Sequence, residues 1–285
     1  PVALVVFTEA VEMAYLKRNS RIPVFFGLEN AMRALHLSRK WTAMKGREDG
    51  RMSLGLDLSG TGDILKNAED RDSLFLSESL ELLRLAGFKM PPYMLAKSAD
   101  EAVHAFESLG RSVAMKMNRP HVSHKSEEGF VIINLQAAGD VRRAFDGFQK
   151  KIAGRDLEVL IQPMIAEGTE IILGGKRDDA FGPVILFGMG GIFVEALEDV
   201  TWRLAPIGKG DARAMIKGIK GKKILHGIRG RAPADIGAIE DLLLRLSALL
   251  TNLPLIREID INPVKVAAAG RGADVLDARI LLDRS

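Results

Sequence analysis

Cysteine is absent from the 285 residues, which excludes disulfides and thiolate metal sites and fits a reducing cytoplasm. Aromatic residues make up only 6% and the formal charge is only +3. Stacking groups and positive charge are both too sparse for a nucleic-acid surface. No apolar run reaches the roughly 18 residues that a membrane-spanning helix needs. The opening Pro1-Val2-Ala3-Leu4-Val5-Val6-Phe7 is apolar, but it lacks the basic flank and small-residue cleavage site of a signal peptide. An initiator methionine is missing as well, so the chain reads as a piece of a longer polypeptide cut before Pro1. What is present is ordinary for a soluble globular protein: 47% apolar and 27% charged residues, in a length that suits two domains.

Residues 1–42 read as β-α-β-α. Val2 to Phe7 and Arg21 to Phe26 form short strands, and Glu9 to Arg18 and Leu28 to Trp41 form helices. Four elements alone leave a raw sheet edge, so the rest of that doubly wound domain is expected elsewhere. Residues 43–72 carry mixed charge, five glycines and no sustained period, the signature of a linker. Regularity returns at Ser73. A helix over Leu74–Ala86 closes at Gly87, and a capping box at Ser98–Glu101 starts another. Strands follow at 112–117 and 130–135, then a helix capped by Asp140 with Val141, Phe145, Phe148 and Ile152 inward. Further strands are expected at 158–162, 169–173 and 184–187, a long helix at 234–250, strands at 256–261 and 274–276, and a short tail helix. The second domain, 73–285, is therefore α/β of the α+β kind.

Five places carry chemistry. Lys116 interrupts an apolar strand, where a lysine either faces water at an edge or meets a negative group such as a phosphate. The loop Asn118 to Gly129 holds His121 and His124 among bases and acids. A histidine there can act as base, metal ligand or nucleophile, although such loops are often plain surface turns. Ile161-Gln162-Pro163-Met164-Ile165 passes through a turn to Glu170. It offers backbone groups to a base edge and a carboxylate to a sugar, or it is an ordinary hairpin. Gly188, Gly190 and Gly191 follow a strand and allow close backbone approach, but they fit neither common glycine fingerprint. Finally, alternation puts Glu258, Asp260 and Asn262 on one face of a strand, with Asp277 on the next. These hard oxygen donors suit Mg²⁺, and a solvent-facing strand gives the same pattern.

The order of these sites resembles the ATP-grasp fold, and more closely the ATP-grasp part of the NDP-forming acyl-CoA synthetases, relatives of succinyl-CoA synthetase. The resemblance covers about residues 73–285 and rests on H-K-S-E-E-G at 124–129, F-G-P-V-I-L-F-G-M-G-G-I-F-V-E at 181–195, R-L-A-P at 203–206 and E-I-D-I-N-P-V at 258–264. Residues 1–42 look like the last β-α-β-α part of the flavodoxin-like CoA-ligase domain that precedes ATP-grasp in fused members. The resemblance implies that Lys116 holds nucleotide phosphates, that Gln162, Met164 and Ile165 receive adenine, and that Glu170 takes the ribose. Gly188, Gly190 and Gly191 would approach phosphate, with Glu195 among the nucleotide residues. Asp260, Asn262 and Asp277 would hold Mg²⁺, and His124 would carry phosphate as phosphohistidine.

The implied activity is a cytoplasmic ADP-forming acid–CoA ligase whose CoA-ligase and CoA-binding parts belong to the same polypeptide or a partner subunit. ATP or ADP and Mg²⁺ are its cofactors, CoA and a carboxylic acid its other substrates, and neither nucleic acid nor membrane its partner. One departure stands out: relatives commonly carry H-K-[ST]-D-V-G-G-V, where this chain has His124-Lys125-Ser126-Glu127-Glu128-Gly129-Phe130-Val131. Two alternatives are a regulatory ATP-grasp-like part of a protein lysine acetyltransferase and a carboxylate–amine ligase that makes a free acyl phosphate.

Overall fold

The computed structural model describes residues 2–45, 55–110, 112–120, 129–152, 156–191, 199–227 and 232–284. The chain divides into two units, residues 1–50 and 51–285. In the first, β1 (Leu4–Val5) and β2 (Val24–Phe25) pair in parallel around α1 (Ala10–Asn19), and α2 (Leu28–Lys45) follows. This is the expected β-α-β-α run. Met13, Val24 and Ala31 are buried, while Phe7, Val11 and Leu28 are 85%, 80% and 65% exposed. Two short strands cannot shield both faces of their own apolar residues.

The expected linker over 43–72 needs correction. Helix α2 extends to Lys45, and α3 (Thr61–Lys66) forms inside the stretch. Leu65 and Ala68 are buried, and Leu56, Leu58 and Ile64 pack on the main core. Six residues are too few for a helical period to emerge from glycine-rich sequence, so the apolar contacts rather than local pattern fix this segment.

Helix α4 (Leu76–Leu85) buries Leu76, Leu80 and Leu83 at the spacing of one helical face. Its start is secured by Glu78, whose carboxylate accepts from the Phe75 N–H at 2.8 Å and from both terminal nitrogens of Arg71 at 2.9 Å. Gly87, at φ +82°, supplies the left-handed residue that ends it.

A four-stranded antiparallel sheet follows. It is built from β3 (Met94–Ala96), β4 (Val113–Met117), β5 (Val131–Leu135) and β6 (Val159–Pro163), in the order β3-β6-β4-β5. Helices α5 (Ala99–Leu109) and α6 (Ala138–Lys151) contribute to its core, where Val113, Met115, Met117, Val159 and Ile161 meet Val141, Phe145, Phe148 and Ile152. Ser98 caps α5 as expected, accepting from Glu101 N–H at 3.2 Å. The cap of α6 is Ala137, not Asp140, which lies in the first turn and pairs with Arg143.

The second sheet has six antiparallel strands: β7 (Thr169–Asp178), β8 (Gly182–Met189), β9 (Val200–Leu204), β10 (Ile256–Val266), β11 (Ala273–Val275) and β12 (Arg279–Leu282). The order is β11-β10-β7-β8-β9, with β12 also on β10. Helices α7 (Lys209–Gly218), α8 (Lys222–Leu225) and α9 (Ile236–Asn252) contribute to the core beneath Leu173, Ile185, Phe187, Ile259 and Ile261. Between Phe187 and Ala234 the sequence pattern predicts no element, yet β9, α7 and α8 form there. The expected tail helix is β12 instead: Ile280 lies opposite Ile259, and pairing with a long formed strand overrides local propensity.

Candidate functional site

Lys116 is 4% exposed, so its charge needs a partner. Its Nζ donates to the Leu276 carbonyl at 2.7 Å and lies 3.2 Å from Asp277 Oδ2. The register of β4 and β6 pairs Ala114 with Gln162, which places Gln162 on the same face as Lys116. Gln162 Nε2 donates to the same Leu276 carbonyl at 3.2 Å. The two sheets therefore meet at this point, joined by a buried lysine and amide from one and the Leu276–Asp277 segment of the other. The edge-strand reading of Lys116 is excluded by its burial.

Asp277 is also tied to β10, since the Asn262 N–H donates to the Asp277 carbonyl at 3.2 Å. Asp260, two residues earlier, lies opposite Arg279 on β12 and Gly174 on β7. Arg279 engages Glu258 at 2.5 Å. Asp260, Asn262 and Asp277 are thus neighbours on adjoining segments. Among the described residues no three His, Cys, Asp or Glu side chains form a metal-binding group. Carboxylates and an amide oxygen, with phosphate and water completing the shell, nevertheless fit Mg²⁺, which rarely takes an all-protein cage.

The Gln162–Ile165 segment is not a hairpin turn. Strand β6 belongs to the four-stranded sheet and β7 to the six-stranded one, so this segment is the crossing between them. Met164 N–H donates to Ser112 O at 3.0 Å, which secures the crossing as it leaves β6. Glu170 then stands on β7 opposite Lys265, with Lys265 Nζ at 3.1 Å from Glu170 Oε1. On its other flank the Gly190 N–H donates to Glu170 O at 2.8 Å.

The glycines have separate reasons. Gly188 lies within β8, and a Cβ there would come within 2.8 Å of Val200 Cγ1. A Cβ on Gly190 would meet Glu170 backbone at 2.9 Å, and Gly191 adopts φ +67° beside Glu170 Oε2. Close packing on neighbouring strands thus accounts for the first two, and the left-handed conformation for the third. His124 and Glu195 lie outside the described residues.

Lys265 and the Leu276 carbonyl are absent from the sequence-based set. A backbone acceptor leaves no side-chain signal. Strict alternation from Asp260 puts Lys265 on the opposite face, but a register shift between Ile261 and Val264 inserts one residue and restores it to the face of Glu170.

A family described as an ATP-grasp domain matches residues 66–282. The acetate–CoA ligase (ADP-forming) I of Archaeoglobus fulgidus is 39% identical over 281 residues, covering 95% of this chain and 40% of that protein. Subunit beta of the acetate–CoA ligase (ADP-forming) II of Pyrococcus furiosus is 42% identical over 221 residues, covering 75% of this chain and 94% of the subunit. The chain therefore spans well under half of the single-chain relative and nearly the whole of the separate subunit. A structure of Ca. Korarchaeum cryptofilum dinucleotide-forming acetyl-coenzyme A synthetase 1 superimposes with a TM-score of 0.68 at 36% identity, covering 79% of this chain and 100% of that one. That structure holds coenzyme A and Mg-AMPPCP, with its phosphohistidine segment pointing towards the nucleotide-binding site. With a family model matched over residues 66–282 and ADP-forming ligases at 39% and 42% identity, the chain belongs to the ATP-grasp domain family, on the branch shared with the ADP-forming acid–CoA ligases.

Proposed function

We propose that this chain is the nucleotide half of a cytoplasmic ADP-forming acid–CoA ligase. It binds ATP or ADP with Mg²⁺ and relays the terminal phosphate through His124 to a CoA-ligase part, where CoA is joined to a carboxylic acid. The observation that carries this reading is the convergence of Lys116, Gln162, Asn262 and Asp277 where the two sheets meet. Buried Lys116 exchanges Asp277 for a nucleotide phosphate. The Gln162, Met164 and Ile165 crossing receives adenine, Glu170 accepts from ribose, and Gly188, Gly190, Gly191 and Glu195 line the approach to phosphate. Asp260, Asn262 and Asp277 are the residues that would hold Mg²⁺, which when bound offsets charge on the transferring phosphoryl group. In the transfer a ring nitrogen of His124 bonds to the γ-phosphorus while the bond to the β,γ-bridging oxygen breaks, and ADP leaves with the electron pair.

The domain assignment follows from the same reading. Residues 1–42 are the end of a CoA-ligase domain. Two observations support this: the strongly exposed apolar residues of that unit, and an alignment with the single-chain relative that reaches into it. The relatives are ligases, and the regulatory acetyltransferase alternative gains nothing from them. The test is incubation with Mg²⁺ and ATP labelled at the γ-phosphate. An acid-labile, alkali-stable label is expected on the wild type and not on His124→Ala. Equal labelling of both proteins overturns the relay.

A further inference from the structure

Lys265 has no role in the proposed relay, yet it is placed with care. It lies directly across β10 from Glu170 on β7, its side chain 15% exposed and its Nζ 3.1 Å from Glu170 Oε1. The other carboxylate oxygen faces the glycine segment, since a Cβ on Gly191 would stand 3.1 Å from Glu170 Oε2. The backbone of Glu170 is clamped as well, its carbonyl accepting from the Gly190 N–H at 2.8 Å. The carboxylate is therefore bracketed. One oxygen is taken by an ammonium group, and the other is turned to the glycine segment at Gly191.

We propose that Lys265 is a positioning residue for Glu170, orienting its carboxylate so that the other oxygen reads the ribose hydroxyls of the nucleotide. This rests on the assignment of the ribose to Glu170. An ionised carboxylate only accepts hydrogen bonds, and hydroxyl donors are its complement. A partly exposed glutamate with free torsions spreads over several rotamers, whereas an ion pair to a facing strand selects one. The β10 register shift delivers the lysine, since without the inserted residue Val264 would oppose Glu170.

The experiment titrates ADP and 2′,3′-dideoxy-ADP, each with Mg²⁺, into the wild-type chain, Lys265→Met and Lys265→Arg. The wild type is expected to prefer ADP by about tenfold or more, the size of a hydrogen bond to a charged group. In Lys265→Met that preference falls towards unity while affinity for the dideoxy nucleotide changes little. Lys265→Arg, which keeps the cation, retains most of it. If Lys265→Met weakens both nucleotides equally and keeps the ribose preference, Lys265 acts on phosphate or on folding and the positioning role is overturned. If the wild type binds both nucleotides alike, the ribose assignment of Glu170 fails first and takes the inference with it. Absence of any binding to the wild type overturns the nucleotide reading itself.

Discussion

Asp235 illustrates how single side chains hold this unit together. One carboxylate oxygen accepts from Ala238 N–H at 3.0 Å to cap α9, and the other accepts from Gly272 N–H at 2.9 Å beside β11. These backbone bonds, with Gly272 foremost and Ala238 next, hold its carboxyl below the ordinary range against the opposing effect of burial. A depressed folded-state value means the stabilisation is complete above the unfolded value, about 3.9, and is lost as pH falls through the folded value. The wild type should therefore lose more stability than Asp235→Asn in urea titrations between about pH 6 and about pH 3. Equal losses would show that Asp235 does not carry this linkage. The burial of Lys116 was legible in the sequence for a related reason: a charge inside an apolar strand is costly without a partner. The Leu276 carbonyl and the Lys265 pairing were not, because one is backbone and the other depends on a register shift.

At the scale of elements, long periodic segments were readable and tertiary-dependent ones were not. The stripe Val141, Phe145, Phe148 and Ile152 is buried as helical spacing demands. By contrast β12 and α3 are short, and each owes its form to a neighbour: β12 to β10, and α3 to the core under Leu65. The cap of α6 moved from Asp140 to Ala137, since a polar residue in the first turn is as favourable as one at the cap and does not mark the boundary. Two glycines separate packing from propensity. Gly147 lies inside α6 with nothing within 4 Å of a Cβ, whereas a Cβ on Gly190 would meet Glu170 backbone at 2.9 Å. Gly147→Ala should raise stability by about 0.5–1 kcal/mol. Gly190→Ala should lower it by about 1–3 kcal/mol, because backbone cannot rotate out of the way. Thermal or urea unfolding of the pair checks both, and a Gly190→Ala chain as stable as wild type would contradict the packing described.

At the scale of the molecule, every described residue of the proposed site lies in the unit 51–285, whose two apolar cores draw, among the described residues, on 56–282. The Pyrococcus furiosus relative, of which this chain covers 94%, is a separate subunit. A chain restricted to 51–285 should fold cooperatively and bind Mg-nucleotide within about twofold of the affinity of residues 1–285, a difference below 0.5 kcal/mol. Loss of folding or a tenfold loss of affinity would mean that residues 1–50 contribute to the site. Among the described residues no helix is long and apolar enough to cross a membrane. The sequence pattern changes after Trp41 and again at Ser73, whereas the chain divides at residue 50, because residues 55–72 pack by contact rather than by period. The most direct test of the nucleotide reading is calorimetric titration of the chain with ADP and a non-hydrolysable ATP analogue, with and without Mg²⁺, comparing wild type with Lys116→Ala and Asn262→Ala. The account predicts Mg²⁺-dependent binding to the wild type that falls by about tenfold or more in both variants. Binding that ignores Mg²⁺ and both substitutions, or no binding to the wild type, would contradict it.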